Sequence, residues 1–296
     1  MDSMKPFEGR VAIVTGAGKG LGRAYAAYLG AGGARVLVNN RRHPGEAQGE
    51  TSAQRVAAEI VSGGGQALAS FDSVEDPRSG ARMVEQALGA WGRLDILVNN
   101  AGVEEGETFH NVSLESLRRV FEINFFGTLH AVHAAWPVMR EARYGRIIVS
   151  TSTAGLYGNH GMSAYASSKA ALLGLMRTLA LEGASRNVRV NAISPFAATP
   201  MTDRYLSEAQ RQALGAQRVV PVLAWLAGES CALNGEIVIS GRGVLRRAAM
   251  RESPGAVLPE GVLPSELAAH WQVAADFTAA REFPSGNDAF ADLMKR

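Results

Sequence analysis

The stretch Val11-Ala-Ile-Val-Thr-Gly-Ala-Gly-Lys-Gly-Leu-Gly22 decides the fold of this 296-residue chain. Its apolar start predicts a short strand buried on both faces, and the glycine-rich turn that follows opens a helix at Leu21. Backbone N–H groups at a helix start carry partial positive charge, and glycines let a phosphate group approach them closely. The segment therefore favours a phosphate-binding site over a plain tight turn.

The spacing of the glycines narrows the kind of phosphate site. The turn reads T-G-x-x-x-G-x-G, and Leu21 stands where the G-x-G-x-x-G fingerprint needs its last glycine. The turn also lacks the G-x-x-x-x-G-K-[ST] signature, which disfavours a P-loop nucleotidase. The residues predicted to bind a cofactor here are Thr15, Gly16, Gly18, Lys19, Gly20, Leu21 and Gly22.

Short β-branched runs alternate with longer helical patterns along most of the chain. Strands are predicted at residues 11–15, 35–39, 67–71, 94–98, 146–150, 188–193 and 236–240, and helices at 21–31, 52–62, 76–90, 114–141, 164–182 and 217–227. This pattern predicts an α/β fold, a doubly wound, Rossmann-like parallel sheet with helices on both faces. Residues 1–243 would form a dinucleotide-binding catalytic domain, and residues 244–296 a C-terminal arm packed on that domain or on a neighbouring subunit.

The composition excludes several classes of protein. With 20% charged and 47% hydrophobic residues the chain is not a disordered protein, and no apolar run approaches the roughly 18–20 residues of a membrane span. A net charge of +2 gives no reason to expect a nucleic-acid partner. The single cysteine, Cys231, excludes an internal disulfide, and the N-terminus has no apolar signal segment, so we expect a cytoplasmic protein. His130 and His133 are three apart without an evident acidic or cysteine partner, so no metal is expected.

The end of the second strand bears on the choice of cofactor. An acid about 20 residues after the glycines would bind a ribose 2′-hydroxyl, whereas a basic residue favours a 2′-phosphate. Asn40 is neutral here, Arg41 and Arg42 follow it, and Lys19 adds a cation within the glycine turn. We therefore predict NADP(H), with NAD(H) as the alternative if these residues form only a solvated basic loop.

Three further residues predict hydride-transfer chemistry. Tyr165 and Lys169 lie four apart, so a helix places them on one face, and Ser152 follows the fifth strand at its ligand-binding end. Tyrosine, with a pKa near ~10, is a poor base at neutral pH, and a nearby ammonium should lower that pKa. Tyr165 would then transfer a proton while the Ser152 hydroxyl bonds the substrate oxygen.

These motifs together resemble the short-chain dehydrogenase/reductase family. The matching residues arrive in the family's order, namely Thr15 to Gly22, Asn99-Asn-Ala-Gly102, Asn124, Ser152 and Tyr165-Ala-Ser-Ser-Lys169. The resemblance implies a proton relay through Asn124 and Lys169, with Lys169 also holding the nicotinamide ribose. It implies further cofactor contacts at Asp72, Ser73, Asn99, Ala101, Gly102, Ile193, Pro195 and Thr199.

Over nearly its whole length the chain is similar to the (3R)-hydroxyacyl-CoA dehydrogenase domain of peroxisomal multifunctional enzymes. The similar stretches include Gly22-Arg-Ala-Tyr25, Tyr144-Gly-Arg-Ile-Ile148, Leu156-Tyr-Gly-Asn159, Trp225-Leu-Ala-Gly-Glu-Ser230 and His270 to Phe277. Those enzymes oxidise a 3-hydroxyacyl thioester with NAD. The chain departs from these enzymes or from the wider family at three places. Asn40-Arg-Arg42 replaces an acidic residue, Phe196 follows Pro195 where glycine is usual, and the sequence ends in Met294-Lys-Arg296 and not in a Ser-Lys-Leu peroxisomal targeting signal.

The predicted function is hydride exchange between NADP(H) and a secondary alcohol or ketone. The substrate is a 3-hydroxyacyl-CoA or, alternatively, a steroid or other bulky cyclic ketone, with predicted contacts at His160, Tyr157 and Phe196. The negative charges of Glu104, Glu105 and Glu107 disfavour a substrate with an anionic group near them, which counts against CoA. Two different functions stay open, namely a redox-sensing module that binds the nucleotide without turnover and an epimerase or dehydratase. Long helices with small residues predict a homodimer or homotetramer.

Overall fold

The computed structural model describes residues 5–47, 49–203 and 206–295, and it confirms the predicted doubly wound sheet. Eight strands lie in the order β3-β2-β1-β4-β5-β6-β7-β8. Their bounds are β1 Val11–Val14, β2 Arg35–Asn39, β3 Gln66–Ser70, β4 Ile96–Asn99, β5 Gly145–Ser150, β6 Val188–Phe196, β7 Ile237–Gly241 and β8 Val244–Ala248. The order reverses at β1, where β2 and β4 flank it on opposite sides.

The pairings from β3 through β7 are all parallel. Every residue of β1, β4 and β5 is buried, as expected of strands covered on both faces. The register pairs Val14 with Val98 and Asn99 with Val149, so the carboxyl ends of these strands lie along one edge. In open α/β sheets this edge is where ligands bind, next to the point at which the strand order reverses.

Within residues 5–247, helices cover both faces of the sheet. The helices that the structure describes are α1 Gly20–Ala31, α2 Ser52–Ser62, α3 Ser79–Trp91, α4 Leu114–Phe121, α5 Gly127–Glu141, α6 Thr153–Tyr157, α7 Ser163–Gly183, α8 Glu208–Ala213, α9 Val220–Ala227, α10 Leu267–Ala274 and α11 Gly286–Leu293. Helices α1, α2 and α9 bury Tyr25, Val56 and Leu223 in one apolar cluster with the strands, and α3 packs against α5. None of the helices described is both long and apolar enough to cross a bilayer.

The helix predicted over residues 114–141 is interrupted. A π-helical turn, Glu122–Phe126, separates α4 from α5, whereas Pro137 lies inside α5 without ending it. Gly127 follows the π turn, and a Cβ there would lie 2.7 Å from Cγ2 of Val74, so the glycine permits close packing. The irregular turn holds Asn124, one of the predicted catalytic residues.

Two compact units divide the described residues, one extending up to Arg247 and the other beginning at Ala248. The first unit contains strands β1 to β7 and all but the last residue of β8, a strand that the sequence did not predict. The second contains α10, α11 and a bridge between Glu252 and Arg281. The roles assigned to residues 1–243 and 244–296 stay predictions.

Candidate active site

The glycine turn between β1 and α1 has the geometry of a cradle for a phosphate group. Gly16 and Gly20 adopt positive φ angles of 63° and 57°, which favour glycine. A Cβ at Gly22 would lie 2.3 Å from the carbonyl oxygen of Gly16, and one at Gly18 would lie 2.6 Å from Oγ of Ser52. The N-cap residue, Lys19, makes no side-chain hydrogen bond to the first turn of α1, which leaves N–H groups there for an anion. These features fit the pyrophosphate of a dinucleotide.

Thr15 and Asn100 hold the turn against the end of β4. Oγ1 of Thr15 accepts hydrogen bonds from the backbone N–H groups of Asn100 and Ala101, both at 3.1 Å. Nδ2 of Asn100 donates in return to the carbonyl oxygens of Thr15 at 3.1 Å and Gly16 at 3.2 Å. The sequence prediction chose Asn99 and missed Asn100, although both belong to the same Asn-Asn-Ala-Gly motif. Asn99 is buried, and its side-chain amide has no partner among the described residues.

A cavity of about 580 Å³ opens at this edge of the sheet, within the usual size range of ligand sites. It brings together residues predicted from separate motifs, namely Gly16, Lys19, Gly20, Leu21, Asn40, Arg41, Asp72, Ser73, Ala101, Gly102, Ser152, Tyr165, Lys169, Pro195 and Thr199. The predicted residues Thr15, Gly18, Gly22, Arg42, Asn99, Asn124 and Ile193 do not line it. Lining residues that the sequence did not single out include Asn39, His43, Asn100, Ser150 and Thr151.

Tyr165 and Lys169 lie on one face of α7, and Ser152 caps α6 beside them. The Ser152 hydroxyl accepts the N–H of Ala154 at 3.1 Å, and its nearness to the Tyr165 side chain acts to lower the pKa of that phenol. Nζ of Lys169 donates to the carbonyl oxygen of Ser150 at 2.8 Å and lies 5.8 Å from the centre of the Tyr165 ring. The predicted serine, tyrosine and lysine therefore meet in one cavity.

Burial shifts the pKa values of both titratable groups. The Lys169 side chain is only 4% exposed, and burial lowers its pKa to about 8. Burial also raises the pKa of Tyr165; the Ser152 hydrogen bond opposes this effect and the Glu104 carboxylate adds to it. The sequence led us to expect a Tyr165 pKa below its ordinary value, and in the protein alone the net shift is upward, because desolvation of the phenolate outweighs the contact with Ser152.

Asn124 supports the cavity from behind its wall. It is fully buried, and its side-chain amide accepts the N–H of Val103 at 2.8 Å and donates to the carbonyl oxygen of Val103 at 3.0 Å. Its Nδ2 also lies 3.1 Å from Oγ of Ser168. Asn124 thus joins the π turn to the loop after β4 and to α7. The hydrogen bonds of its side-chain amide hold these segments in position.

The end of the cavity next to the carboxyl end of β2 is basic. Lys19 and Arg41 line it, and no ion pair involves either residue in the described part of the chain. Arg42 lies instead with its guanidinium 5.0 Å from the centre of the Phe71 ring, outside the cavity. Asp72 lines the cavity but is ion-paired with Arg82. Positive charge therefore dominates where the second strand ends.

The three residues predicted to contact substrate lie outside the cavity lining. Tyr157 is 74% exposed and Phe196 46% exposed, and His160 is also exposed. Phe196 packs at the end of β6, where a Cβ on Gly241 would lie 2.5 Å from its own Cβ. These residues could contact only a substrate that extends beyond the cavity. No cluster of metal-ligating side chains occurs within the residues described.

The fold and site define a dinucleotide-dependent α/β protein with a serine, tyrosine and lysine at the cofactor edge. The short chain dehydrogenase family model matches residues 10–210. A protein of Mycobacterium tuberculosis named as a short-chain type dehydrogenase/reductase is 40% identical over 280 residues, which cover 94% of this chain and 98% of that relative. The chain belongs to the short-chain dehydrogenase/reductase family and is an oxidoreductase.

Two solved structures of dehydrogenases or enzymes that contain such a domain are also similar to this chain. Full-length peroxisomal multifunctional enzyme type 2 from Drosophila melanogaster matches with a TM-score of 0.83 and 33% identity, covering 98% of this chain. This chain spans only about half of that protein, 49% of its length. A 7α-hydroxysteroid dehydrogenase in complex with NADH and 7-oxo glycochenodeoxycholic acid matches with a TM-score of 0.73 and 28% identity, covering 82% of this chain and 98% of that one.

Proposed function

We propose that this enzyme exchanges hydride between NADP(H) and a secondary alcohol or ketone, with Tyr165 as the proton-transfer group. The observation that carries the proposal is the meeting of Ser152, Tyr165 and Lys169 in the cavity that the glycine turn also lines. Hydride and proton must reach adjacent atoms of one carbonyl, so the cofactor cradle and the proton donor need a common cavity.

The side chains divide the chemistry of ketone reduction among them. A nicotinamide cofactor, when bound, supplies the hydride that the carbonyl carbon receives. Tyr165 donates its phenolic proton to the carbonyl oxygen as the C–O π electrons move onto that oxygen, and Ser152 holds the oxygen by a hydrogen bond. Lys169 stabilises the resulting phenolate by its charge. Alcohol oxidation uses the same groups in reverse, with Tyr165 taking up the hydroxyl proton.

The basic end of the cavity supports NADP(H) over NAD(H). A ribose 2′-phosphate needs cationic donors, and Lys19 and Arg41 line the cavity there. Asn40 takes the position of the acid that would otherwise bind the 2′-hydroxyl, and its Nδ2 donates to Oγ of Ser52 at 2.9 Å. An uncharged amide does not repel the phosphate as a carboxylate would.

Two substrate classes have support of different kinds. Similarity over 98% of the chain to a peroxisomal multifunctional enzyme type 2 favours a 3-hydroxyacyl-CoA. The likeness to a dehydrogenase with a bound steroid favours a bulky cyclic alcohol. Glu104 and Glu75 line the cavity, and their charge opposes the phosphates of CoA if these pass close by. We place the acyl-CoA first because the similarity covers more of the chain.

A steady-state comparison of cofactors and ketones tests the proposal. The ketones are a 3-oxoacyl-CoA, the same 3-oxoacyl group on a short thiol without the nucleotide, and a 7-oxo steroid. We expect kcat/KM for NADPH to exceed that for NADH by about 10–100-fold, the value of charge-assisted contacts to one phosphate. A preference for NADH contradicts the cofactor assignment. Faster reduction of the steroid than of the acyl-CoA contradicts the order of substrates.

Assembly and compartment form a separate proposal. We expect a homodimer or homotetramer in the cytoplasm, although the matched multifunctional enzyme is peroxisomal by name. The long helix α7 exposes Leu181, and no atom of the described residues lies within 4 Å of the position that a Cβ on its Gly174 would occupy, so another helix can approach. Light scattering should give a multiple of the 31.3 kDa chain mass, and the monomer mass contradicts this proposal.

A further inference from the structure

The loop between β2 and α2 carries a histidine at the basic end of the cavity that the predicted cofactor contacts do not include. His43 lines the cavity beside Lys19 and Arg41 and is partly buried. Its Nε2 lies 3.1 Å from Nδ2 of Asn40. Because Arg42 is turned onto Phe71, His43 takes the place in the cavity wall that was predicted for the second arginine. The basic end therefore consists of a lysine, an arginine and an imidazole.

The hydrogen bonds of Asn40 leave the His43 ring available to a ligand. Nδ2 of Asn40 has three acceptors within reach, namely the carbonyl oxygen of Arg41 at 3.2 Å, Oγ of Ser52 at 2.9 Å and Nε2 of His43 at 3.1 Å. An amide nitrogen carries only two hydrogens, so it cannot satisfy all three at once. The imidazole can exchange its contact with Asn40 for a phosphate oxygen while the two other bonds persist.

Glu46 joins two points of this loop, His43 and Ser52, by hydrogen bonds. One carboxylate oxygen accepts the backbone N–H of His43 at 3.0 Å, and the other accepts that of Ser52 at 2.9 Å. These two bonds hold the pKa of the Glu46 carboxyl at about 2, so it is charged at any pH of interest. The carboxylate spans the loop from the end of β2 to the start of α2, where Thr51 and Gln54 form a capping box. The position of His43 is thus built into the fold.

We propose that His43 is a third ligand of the cofactor's ribose 2′-phosphate, beside Lys19 and Arg41, and that Glu46 positions it. The inference rests on the proposed preference for NADP(H). A phosphate dianion accepts several hydrogen bonds, and a protonated imidazole would add both a donor and a charge. The Glu46 carboxylate accepts the backbone N–H groups of His43 and Ser52, and its charge acts on the imidazole through space.

Calorimetric titration with 2′,5′-ADP and with 5′-AMP isolates the 2′-phosphate without any turnover. We expect wild-type protein to bind 2′,5′-ADP more tightly, and His43→Ala to reduce the ratio of the two Kd values by about tenfold. His133→Ala, an exposed histidine of α5 outside the cavity, should leave the ratio unchanged. If wild-type protein does not discriminate between the two nucleotides, the cofactor assignment itself is wrong. If it discriminates and His43→Ala does so equally well, only the role of His43 is overturned.

Two further measurements distinguish a loss of phosphate binding in His43→Ala from a change in the structure of the loop. Burial and the charges of Lys19 and Arg41 lower the pKa of His43, and Glu46 partly offsets them. A bound dianion should raise that pKa, so the wild-type Kd ratio should grow as pH falls from 8 to 6, and grow less in His43→Gln. Equal pH dependence in both proteins overturns the proposal. Glu46→Gln should lower the ratio in the wild type and have less effect in His43→Ala, whereas equal effects in both contradict the positioning role.

Discussion

Nζ of Lys169 lies 5.8 Å from the centre of the Tyr165 ring, while its only protein hydrogen-bond acceptor in the described residues is the carbonyl oxygen of Ser150 at 2.8 Å. An ammonium group has three donors, so Lys169 has two left for groups in the cavity. A buried, incompletely paired lysine is costly to the fold and is typical of a functional site. This relationship leads to predictions about both stability and chemistry.

Replacing Lys169 by methionine should stabilise the protein at neutral pH while abolishing turnover. The fall of the Lys169 pKa from 10.5 to about 8 means that the charged lysine opposes folding by about 3 kcal/mol. The variant removes this cost, but it also loses the hydrogen bond to Ser150, which is worth about 1 kcal/mol. Wild-type stability should rise between pH 8 and 10.5, because there the unfolded chain still holds a proton that the native lysine has lost.

Urea unfolding at pH 7 and at pH 10 measures this effect. Lys169→Met should be more stable than wild type at pH 7, and the difference should vanish or reverse at pH 10. Lys5→Met removes an exposed lysine and should show no such change. A variant less stable than wild type at pH 7 contradicts the assignment of a destabilising buried ammonium.

Glu104→Gln should shift the pH dependence of the reaction. After burial, the Glu104 carboxylate is the remaining influence that raises the pKa of Tyr165, and the amide removes that charge. Ketone reduction needs the protonated phenol, so its alkaline fall should move to lower pH by roughly half a unit, as expected of a partly screened charge. The rising limb of alcohol oxidation should move the same way.

The two pH–rate profiles should be recorded beside those of Glu107→Gln, an exposed glutamate outside the cavity lining. That control should follow the wild type. If the profile of Glu104→Gln is unshifted or moves to higher pH, the Glu104 carboxylate does not raise the pKa of Tyr165, and the prediction is contradicted.

Gly22→Ala should weaken nucleotide binding although alanine favours helices. The added methyl would lie 2.3 Å from the carbonyl oxygen of Gly16 and 2.5 Å from Nδ2 of Asn100, so the glycine turn must move. We expect at least a tenfold rise in the Kd for 2′,5′-ADP. Gly89→Ala places its methyl in open space on α3, and should leave binding intact and add roughly 0.5–1 kcal/mol of stability. Unchanged binding in Gly22→Ala contradicts the cradle.

The sheet and the catalytic constellation could be predicted because their signals are local. Val11–Val14 is apolar throughout, Gly145–Ser150 has an apolar centre at residues 147–149, and Tyr165 and Lys169 have helical spacing on a single element. Helix α8 also had a local signal, since Ser207 and Gln210 form a capping box, but its six residues gave too little periodicity to be recognised.

What the sequence could not predict depends on tertiary contacts. The π turn that holds Asn124 has no distinct residue pattern, and its place is fixed by bonds to Val103 and Ser168. The direction of the Tyr165 pKa shift depends on burial depth, which spacing does not reveal. His43 lines the cavity while Arg42 lies on Phe71, and two adjacent arginines gave no hint of that exchange.

The role of Tyr165 as proton donor is tested by the rate of ketone reduction of purified Tyr165→Phe at saturating NADPH. Phenylalanine keeps the ring and removes only the proton donor, while the glycine cradle and Lys169 stay in place. We expect 2′,5′-ADP to bind as in the wild type and kcat to fall by about 10²–10⁴-fold, the usual contribution of a positioned acid. Turnover within a few-fold of the wild-type rate on the same ketone would contradict the assignment of Tyr165 and, with it, the proposed mechanism.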